Sequence, residues 1–119
     1  EFSQLYRLDL SDGAVTLLTD GGRSQNGGVV WSTAEDRIAY GSTRRNGADR
    51  DLYLMDPANP SSDRMVLQVK GGGWASLDWS PDDKRLLVRE GISVNQANLG
   101  WWMSPRDSAG CSLRLPVTR

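Results

Sequence analysis

The chain has 119 residues, of which 38% are hydrophobic, and it carries a formal net charge of −1. This near-neutral charge removes the electrostatic case for nucleic acid or an anionic membrane as a main partner. Histidine is absent, which excludes a Ser-His-Asp or Cys-His site within the chain and removes the commonest metal ligand. We therefore expect no catalytic residue, no metal site and no cofactor.

The predicted secondary structure is entirely β. Apolar and polar residues alternate over short runs that are separated by turn residues such as Ser-Asp-Gly and Asn-Gly. No stretch combines helix caps with an apolar period of 3.6 residues, so no helix is expected. In chain order, the predicted strands lie at residues 4–10 and 14–19, in a four-strand region at 28–69, and at 74–79, 85–90 and 97–103.

The sequence repeats internally. The phrase "WSTAEDRIAY" (residues 31–40) returns as "WSPDDKRLLV" (79–88) at an offset of 48, and "QLYRLDL" (4–10) falls on "DLYLMDP" (51–57) at an offset of 47. Repeat periods between about 20 and 50 residues are typical of propellers and solenoids.

Four short antiparallel strands in a unit of this length predict one blade of a β-propeller. The predicted fold is therefore all-β, with blades of four antiparallel strands and about two and a quarter blades per chain. Residues 4–19 supply the two outer strands of one blade, residues 28–69 a full blade, and residues 74–103 the three inner strands of the next. This partial propeller covers residues 4–103.

Several longer phrases resemble one known family. They are "YGSTRRNGADRDLYLMDP" (40–57), "GGGW" (71–74), "LDWSPDDKRLLV" (77–88) and "ISVNQANL" (92–99). Together they resemble the N-terminal propeller of bacterial serine peptidases of the prolyl oligopeptidase and acylaminoacyl-peptidase family, over residues 4–102. TolB-type propellers share the Trp-Ser-Pro-Asp phrase.

The resemblance implies a fold and a parent function. In that family the propeller sits on an α/β-hydrolase domain and restricts the access of peptides to a catalytic triad. This chain has no Gly-x-Ser-x-Gly nucleophile elbow, so the resemblance brings no catalytic residue to it. The parent's compartment, bacterial cytoplasm or periplasm, stays open, because the N-terminus lacks a signal-peptide pattern and one cysteine says little about redox conditions.

The family pattern ends after Leu99. We interpret residues 104–119 as an atypical tail that arose from vector read-through or an unrelated fusion, and Glu1-Phe2 fits translation of a cloning site. If an oligomer forms, residues 111–117 are a candidate for an added edge strand, although their alternating pattern is short. Cys111 is interpreted as an incidental free thiol.

Three further clusters have simple structural interpretations. The run 71–73 (Gly-Gly-Gly) is predicted as a turn between blades, because a phosphate-binding loop needs Gly-Lys-Ser/Thr opening a helix. The arginines at 44, 45 and 50 are interpreted as a solvated hairpin tip, with contact to a partner domain or a peptide carboxylate as the alternative. The aspartates at 49, 51 and 56 lack the ligand spacing of a calcium loop, so a turn role is predicted.

An incomplete propeller exposes blade faces and strand edges, which promote pairing between chains. Trp101 and Trp102 are adjacent and therefore point to opposite faces of their strand. We expect a homo-oligomer formed by blade complementation or strand swapping. The predicted self-association residues are Leu5, Tyr6, Leu8, Leu99, Trp101 and Trp102.

The predicted function is a non-catalytic propeller fragment of a serine peptidase that acts as a structural and self-association module. Its other predicted partner is the hydrolase domain of the parent protein, where the propeller would gate peptide access. The alternative is a fragment of a TolB-type protein-binding propeller.

Overall fold

The computed structural model describes residues 2–93, 96–103 and 112–118, with side chains described for residues 2–91 and 96–102. These ranges contain ten strands and no helix. The strands are β1 (Tyr6–Leu8), β2 (Val15–Leu17), β3 (Asn26–Trp31), β4 (Ile38–Ser42), β5 (Asp51–Asp56), β6 (Asn59–Leu67), β7 (Trp74–Trp79), β8 (Arg85–Ser93), β9 (Gln96–Met103) and β10 (Ser112–Thr118).

The strands form three antiparallel sheets in which each strand pairs with its neighbour in sequence. β1 pairs with β2, β3 to β6 form a four-stranded middle sheet, and β7 to β10 form a four-stranded last sheet. Short loops connect consecutive antiparallel strands, as the turn residues in the sequence require. The predicted all-β fold with four-stranded antiparallel blades is confirmed.

The last sheet has one strand more than the three that the sequence predicts. β10 pairs with β9 along seven positions, from Ser112 opposite Trp102 to Thr118 opposite Gln96. The described strands therefore amount to two four-stranded sheets and one two-stranded sheet, or two and a half blades. The origin of the tail stays a prediction, and residues 104–111, including Cys111, lie outside the described residues.

The middle sheet is packed on both faces, because successive side chains of a strand point to opposite sides. One face meets the β1–β2 pair, and the other meets the last sheet. The cluster toward β1–β2 consists of Leu18, Ile38, Tyr40, Tyr53 and Met55, with Leu5 packed against it. The cluster toward the last sheet consists of Ala39, Leu52, Leu54, Trp74, Trp79, Leu86, Val88 and Trp102.

The glycine run at 71–73 leads into β7, where the chain passes close to β8. A Cβ added to Gly73 would lie 2.5 Å from the carbonyl oxygen of Gly91, and the Gly91 N–H donates to the Gly73 oxygen at 2.9 Å. Gly71 has a φ of 95°, which only glycine adopts readily. The run therefore serves a turn between sheets, as its sequence context indicates.

Candidate functional site

The β1–β2 pair carries an exposed apolar face. Tyr6 lies opposite Leu17 and Leu8 opposite Val15, so all four side chains share one face of the pair. Their exposed fractions are 62% for Tyr6, 58% for Leu8, 65% for Val15 and 42% for Leu17. Scattered apolar side chains on a surface need no explanation, but a contiguous group is typical of an interaction site. We call these four residues the N-terminal face.

The last sheet carries an outer face on the side away from the middle sheet. Leu87 lies opposite Trp101, and Arg89 opposite Leu99, while the alternating residues of the same strands are buried against the middle sheet. Leu87, Leu99 and Trp101 are only partly buried. The guanidinium of Arg85 lies 5.1 Å from the centre of the Trp101 ring. We call Leu87, Leu99 and Trp101 the C-terminal face.

The structure separates the six predicted self-association residues into two groups. Tyr6 and Leu8 belong to the N-terminal face, and Leu99 and Trp101 belong to the C-terminal face. Leu5 packs against the cluster between β1–β2 and the middle sheet, and Trp102 is only 5% exposed between the middle and last sheets. The self-association role of all six stays a prediction.

Three further face residues were not singled out from the sequence, namely Val15, Leu17 and Leu87. For Val15 and Leu17 the signal was the apolar–polar–apolar alternation of β2, which indicates one apolar face. Their exposure depends on whether a neighbouring sheet covers that face.

The β3–β4 turn and the β7–β8 turn share one backbone geometry. In the first, the Ser32 N–H donates to the Arg37 oxygen at 2.9 Å, and the Arg37 N–H donates to Ser32 Oγ at 3.1 Å. The second turn repeats both bonds at 2.8 and 3.0 Å. Glu35 and Asp83 hold equivalent left-handed positions, with φ values of 59° and 58°. The two turns are therefore structural equivalents at an offset of 48 residues.

The Asp83 side chain connects the β7–β8 turn to the β3–β4 turn by hydrogen bonds. Its carboxylate accepts hydrogen bonds from the backbone N–H groups of Thr33 at 2.7 Å and Ala34 at 3.0 Å. Partial burial acts to raise the pKa of Asp83, but the hydrogen bonds from Ala34 and Thr33 outweigh it and hold this pKa below its ordinary value. Arg37 Nη2 also donates to the Asp83 carbonyl oxygen at 3.3 Å.

Trp79 completes this junction between the middle and last sheets. Its indole Nε1 donates to the carbonyl oxygen of Val30 at 3.1 Å, and the Arg37 guanidinium lies 4.9 Å from its ring centre. Trp79 is only 5% exposed. Trp31, which stands 48 residues earlier at the equivalent position, is 52% exposed.

Two of the three clustered arginines are held by carboxylates of the middle sheet. Arg44 pairs with Asp63, to which the Tyr40 hydroxyl also donates at 2.6 Å. Burial and the neighbouring Asp63 carboxylate raise the pKa of Tyr40. Arg45 Nε donates to the fully buried Asp51 at 2.6 Å. These contacts stabilise the blade.

The third arginine lies against the backbone of the middle sheet. A Cβ added to Gly41 would come within 2.6 Å of Arg50 Nε, so glycine at this position makes room for the Arg50 side chain.

The three aspartates near these arginines also have structural partners. Asp49 and Asp51 both accept from Arg45, and Asp56 accepts from the Ala58 N–H at 2.9 Å. In the described part of the chain, no group of three His, Cys, Asp or Glu residues is placed to hold a metal ion. Nor does that part contain a helix long and apolar enough to cross a membrane.

Antiparallel four-stranded sheets that pack face to face in sequence order define this chain as part of a β-propeller. It is similar in structure to a TolB from Agrobacterium tumefaciens, with a TM-score of 0.74 and 16% identity over 97% of this chain and 42% of that one. It is also similar to TolB from Acinetobacter baumannii, with a TM-score of 0.70 and 18% identity over 94% of this chain and 26% of that one.

A further solved structure comes from work on two prolyl endopeptidases. It shares 15% identity over 98% of this chain and 26% of that one, with a TM-score of 0.39, which is too low to support an argument about fold or function. No protein-family model matches the chain, and no curated protein matches it. The two TolB similarities show a shared fold, and the chain spans less than half the length of either neighbour.

Proposed function

We propose that this chain is a non-catalytic propeller segment that associates with further copies of itself through its two open sheet faces. The observation that carries the proposal is the N-terminal face, where four apolar side chains lie side by side with at least 42% of each exposed. In a stack of sheets, such a face is normally covered by the next sheet, because a thin sheet buries its apolar residues only against neighbours.

The two faces complement each other in charge. Arg85 and Arg89 are exposed beside the C-terminal face. Asp12 is exposed at the turn beside the N-terminal face, and Asp9 is half-buried there. The N-terminal face of one copy therefore suits the C-terminal face of another. This contact is heterologous, so it forms a ring if the rotation closes and a chain of copies if it does not.

Contact between faces requires no change in strand pairing. Blade complementation, in which β1 and β2 of one copy join β8 of another, would first require β9 and β10 to leave, since β9 pairs with β8 in the same chain. A strand swap has the same requirement. We therefore place face-to-face contact first among the modes of self-association.

The parent protein that we propose is a serine peptidase of the prolyl oligopeptidase and acylaminoacyl-peptidase family. This part of the proposal rests on the phrases at residues 40–57, 71–74, 77–88 and 92–99. In that parent, the propeller would pack on the hydrolase domain and limit which peptides reach it. The chain by itself should hydrolyse no peptide or ester substrate.

The test is the solution mass of the chain, measured by size exclusion with light scattering over a range of concentrations. We expect a mass of several chains that falls on dilution. The double change Tyr6→Ser with Leu8→Ser should raise the apparent dissociation constant by about tenfold or more, because it removes apolar area from the contact. The matched control is Leu10→Ser, which changes a 90% exposed residue in the β1–β2 turn and should leave the mass unchanged.

A folded monomer at all concentrations would overturn the proposal and favour the alternative, a TolB-type propeller fragment that binds a different protein. Peptide hydrolysis by the purified chain would contradict the non-catalytic assignment.

A further inference from the structure

The side of the middle sheet that faces β1–β2 is only partly covered. Leu5 and Leu18, which adjoin β1 and β2 in the chain, pack with the buried cluster of Ile38, Tyr40, Tyr53 and Met55, whereas no residue of the edge strand β3 belongs to this cluster. Trp31 lies opposite Ile38 in the β3–β4 register, so its side chain is on the same face as Ile38. Its 52% exposure shows that this part of the face is open.

The repeat shows what normally covers such a tryptophan. Trp31 and Trp79 are equivalents at an offset of 48. Trp79 donates to a carbonyl of the preceding inner hairpin, β3–β4, and is stacked by Arg37 from that hairpin. A preceding inner hairpin would offer Trp31 the same two contacts, a carbonyl acceptor and a stacked arginine. No such hairpin is present in the described residues.

Glu35 likewise lacks the hydrogen bonds that its equivalent residue makes. Its equivalent, Asp83, accepts two backbone N–H groups from the turn of the preceding inner hairpin. Glu35 has the same left-handed backbone and is exposed. Among the described residues, none donates a hydrogen bond to its carboxylate. A non-glycine residue in this conformation is uncommon.

The third feature is a free strand edge. β1 corresponds to β5 at an offset of 47, and β5 pairs on both sides, with β4 and β6. Among the described strands β1 pairs only with β2, which corresponds to β6. The edge of β1 that corresponds to the β4 side of β5 is therefore open to a further strand.

We infer that Trp31, Glu35 and the free edge of β1 form a docking slot for an inner β-hairpin that the described residues do not supply. The hairpin would add two strands beside β1 and complete the half blade by strand addition. Its turn would present two consecutive backbone N–H groups to the Glu35 carboxylate. A carbonyl of its first strand would accept the Trp31 indole N–H, and an arginine after its turn would stack on the Trp31 ring.

A folded second copy does not meet these requirements. Its β4 already pairs with β5, and its β8 already pairs with β9, so neither inner hairpin has a free second strand. The β7–β8 turn also has Pro81 where β3–β4 has Thr33, and proline lacks the N–H that Asp83 receives from Thr33. The occupant is thus an inner hairpin whose own outer strands are missing, and this slot is separate from the two self-association faces.

The experiment measures binding of a labelled synthetic peptide to the full chain by fluorescence anisotropy. The peptide has the sequence of residues 26–43, because the β3–β4 hairpin provides every group that the slot requires. We expect saturable binding with one peptide per chain. Trp31→Ala in the protein should weaken it by about tenfold or more, and Glu35→Gln by about threefold or more, since each removes a central contact.

Matched controls distinguish binding in the slot from non-specific binding of the peptide. Met65→Ala alters an apolar residue on β6 that is 42% exposed, and Asp12→Asn alters an exposed acid; both should bind the peptide as the original chain does. A peptide with Thr33→Pro should bind about threefold more weakly, because it loses one N–H while Pro81 shows that the turn accepts proline. Far-UV circular dichroism checks that every protein variant is folded.

No binding, or binding that Trp31→Ala and Glu35→Gln leave unchanged, would overturn the inference. Light scattering in the same titration distinguishes this failure from failure of the proposed function. Slot binding adds only the mass of one peptide per chain, whereas self-association changes the number of chains.

Discussion

Tyr40 is the best place in the chain to measure what one buried polar group contributes. Its ring is fully buried and stacks on Tyr53 with 5.6 Å between ring centres. Its hydroxyl donates to Asp63 and accepts from Arg44 at 3.3 Å. Tyr40→Phe keeps the ring but removes both bonds, each of which involves a charged group. We expect the free energy of unfolding to fall by about 1 to 3 kcal/mol, measured by urea denaturation.

The matched control is Tyr53→Phe. It makes the same chemical change in the partner ring, whose hydroxyl takes part in no hydrogen bond among the described residues. The expected change is within about 0.5 kcal/mol. Equal losses from both variants would mean that the Tyr40 hydroxyl contributes no more to stability than the Tyr53 hydroxyl.

At the scale of elements, the junction between the two turns depends on the ionised carboxylate of Asp83. Its folded pKa lies below the ordinary value of 3.8, so its contribution is present above that value and is lost as the pH falls through the folded pKa. Asp83→Asn should lower the free energy of unfolding at pH 7 by less than about 1 kcal/mol, because the group is largely solvated. The difference between the original chain and the variant should shrink below about pH 4.

Amide hydrogen exchange locates the same effect in the chain. The Thr33 and Ala34 amides should exchange faster in Asp83→Asn than in the original chain. Asp82→Asn is the control, because among the described residues Asp82 accepts hydrogen bonds only within its own turn, from Ser80 and Lys84. Faster exchange at Thr33 and Ala34 in both variants would show that the β7–β8 turn itself had loosened. Hydrogen bonds to Asp83 would then not be the specific source of protection.

Much of this element structure was predictable from the sequence, because a repeat imposes the same hairpin twice. The offset of 48 predicts both inner hairpins, and period-two alternation predicts two faces for each strand. Alternation does not say which face a neighbouring sheet covers, so Leu5 and Tyr6 were grouped together although only Tyr6 lies on an open face. β10 had no counterpart in the repeat pattern, and its pairing depends on the edge that β9 offers.

The contact between Asp83 and the turn that contains Thr33 was also not predictable from the sequence. The two groups are 50 residues apart, and they meet only because successive sheets stack in register. The sequence repeat predicts both turns but not the hydrogen bonds between them. Once this contact is known, Trp31 and Glu35 can be interpreted as the equivalents of Trp79 and Asp83 that lack a preceding hairpin to bind.

For the whole molecule, stability should decrease from the middle sheet toward the open ends. In stacked architectures each unit depends on its neighbours, and the middle sheet has a neighbour on both faces, whereas the β1–β2 pair has one. β1 and β2 are also only three residues each. Local opening should therefore cost least at β1–β2 and most at β4 and β5, where nearly every residue is buried.

Hydrogen exchange followed residue by residue tests this gradient. At concentrations where light scattering gives the mass of one chain, the amides of β4 and β5 should exchange slowest and those of β1 and β2 fastest. At higher concentrations, self-association should slow exchange in β1 and β2 while β4 and β5 stay as they were, since only the open faces gain a neighbour. Uniform protection in the monomer would mean that the sheets unfold as one cooperative unit. Protection of β1 and β2 that never changes with concentration would mean that the N-terminal face gains no cover from another copy.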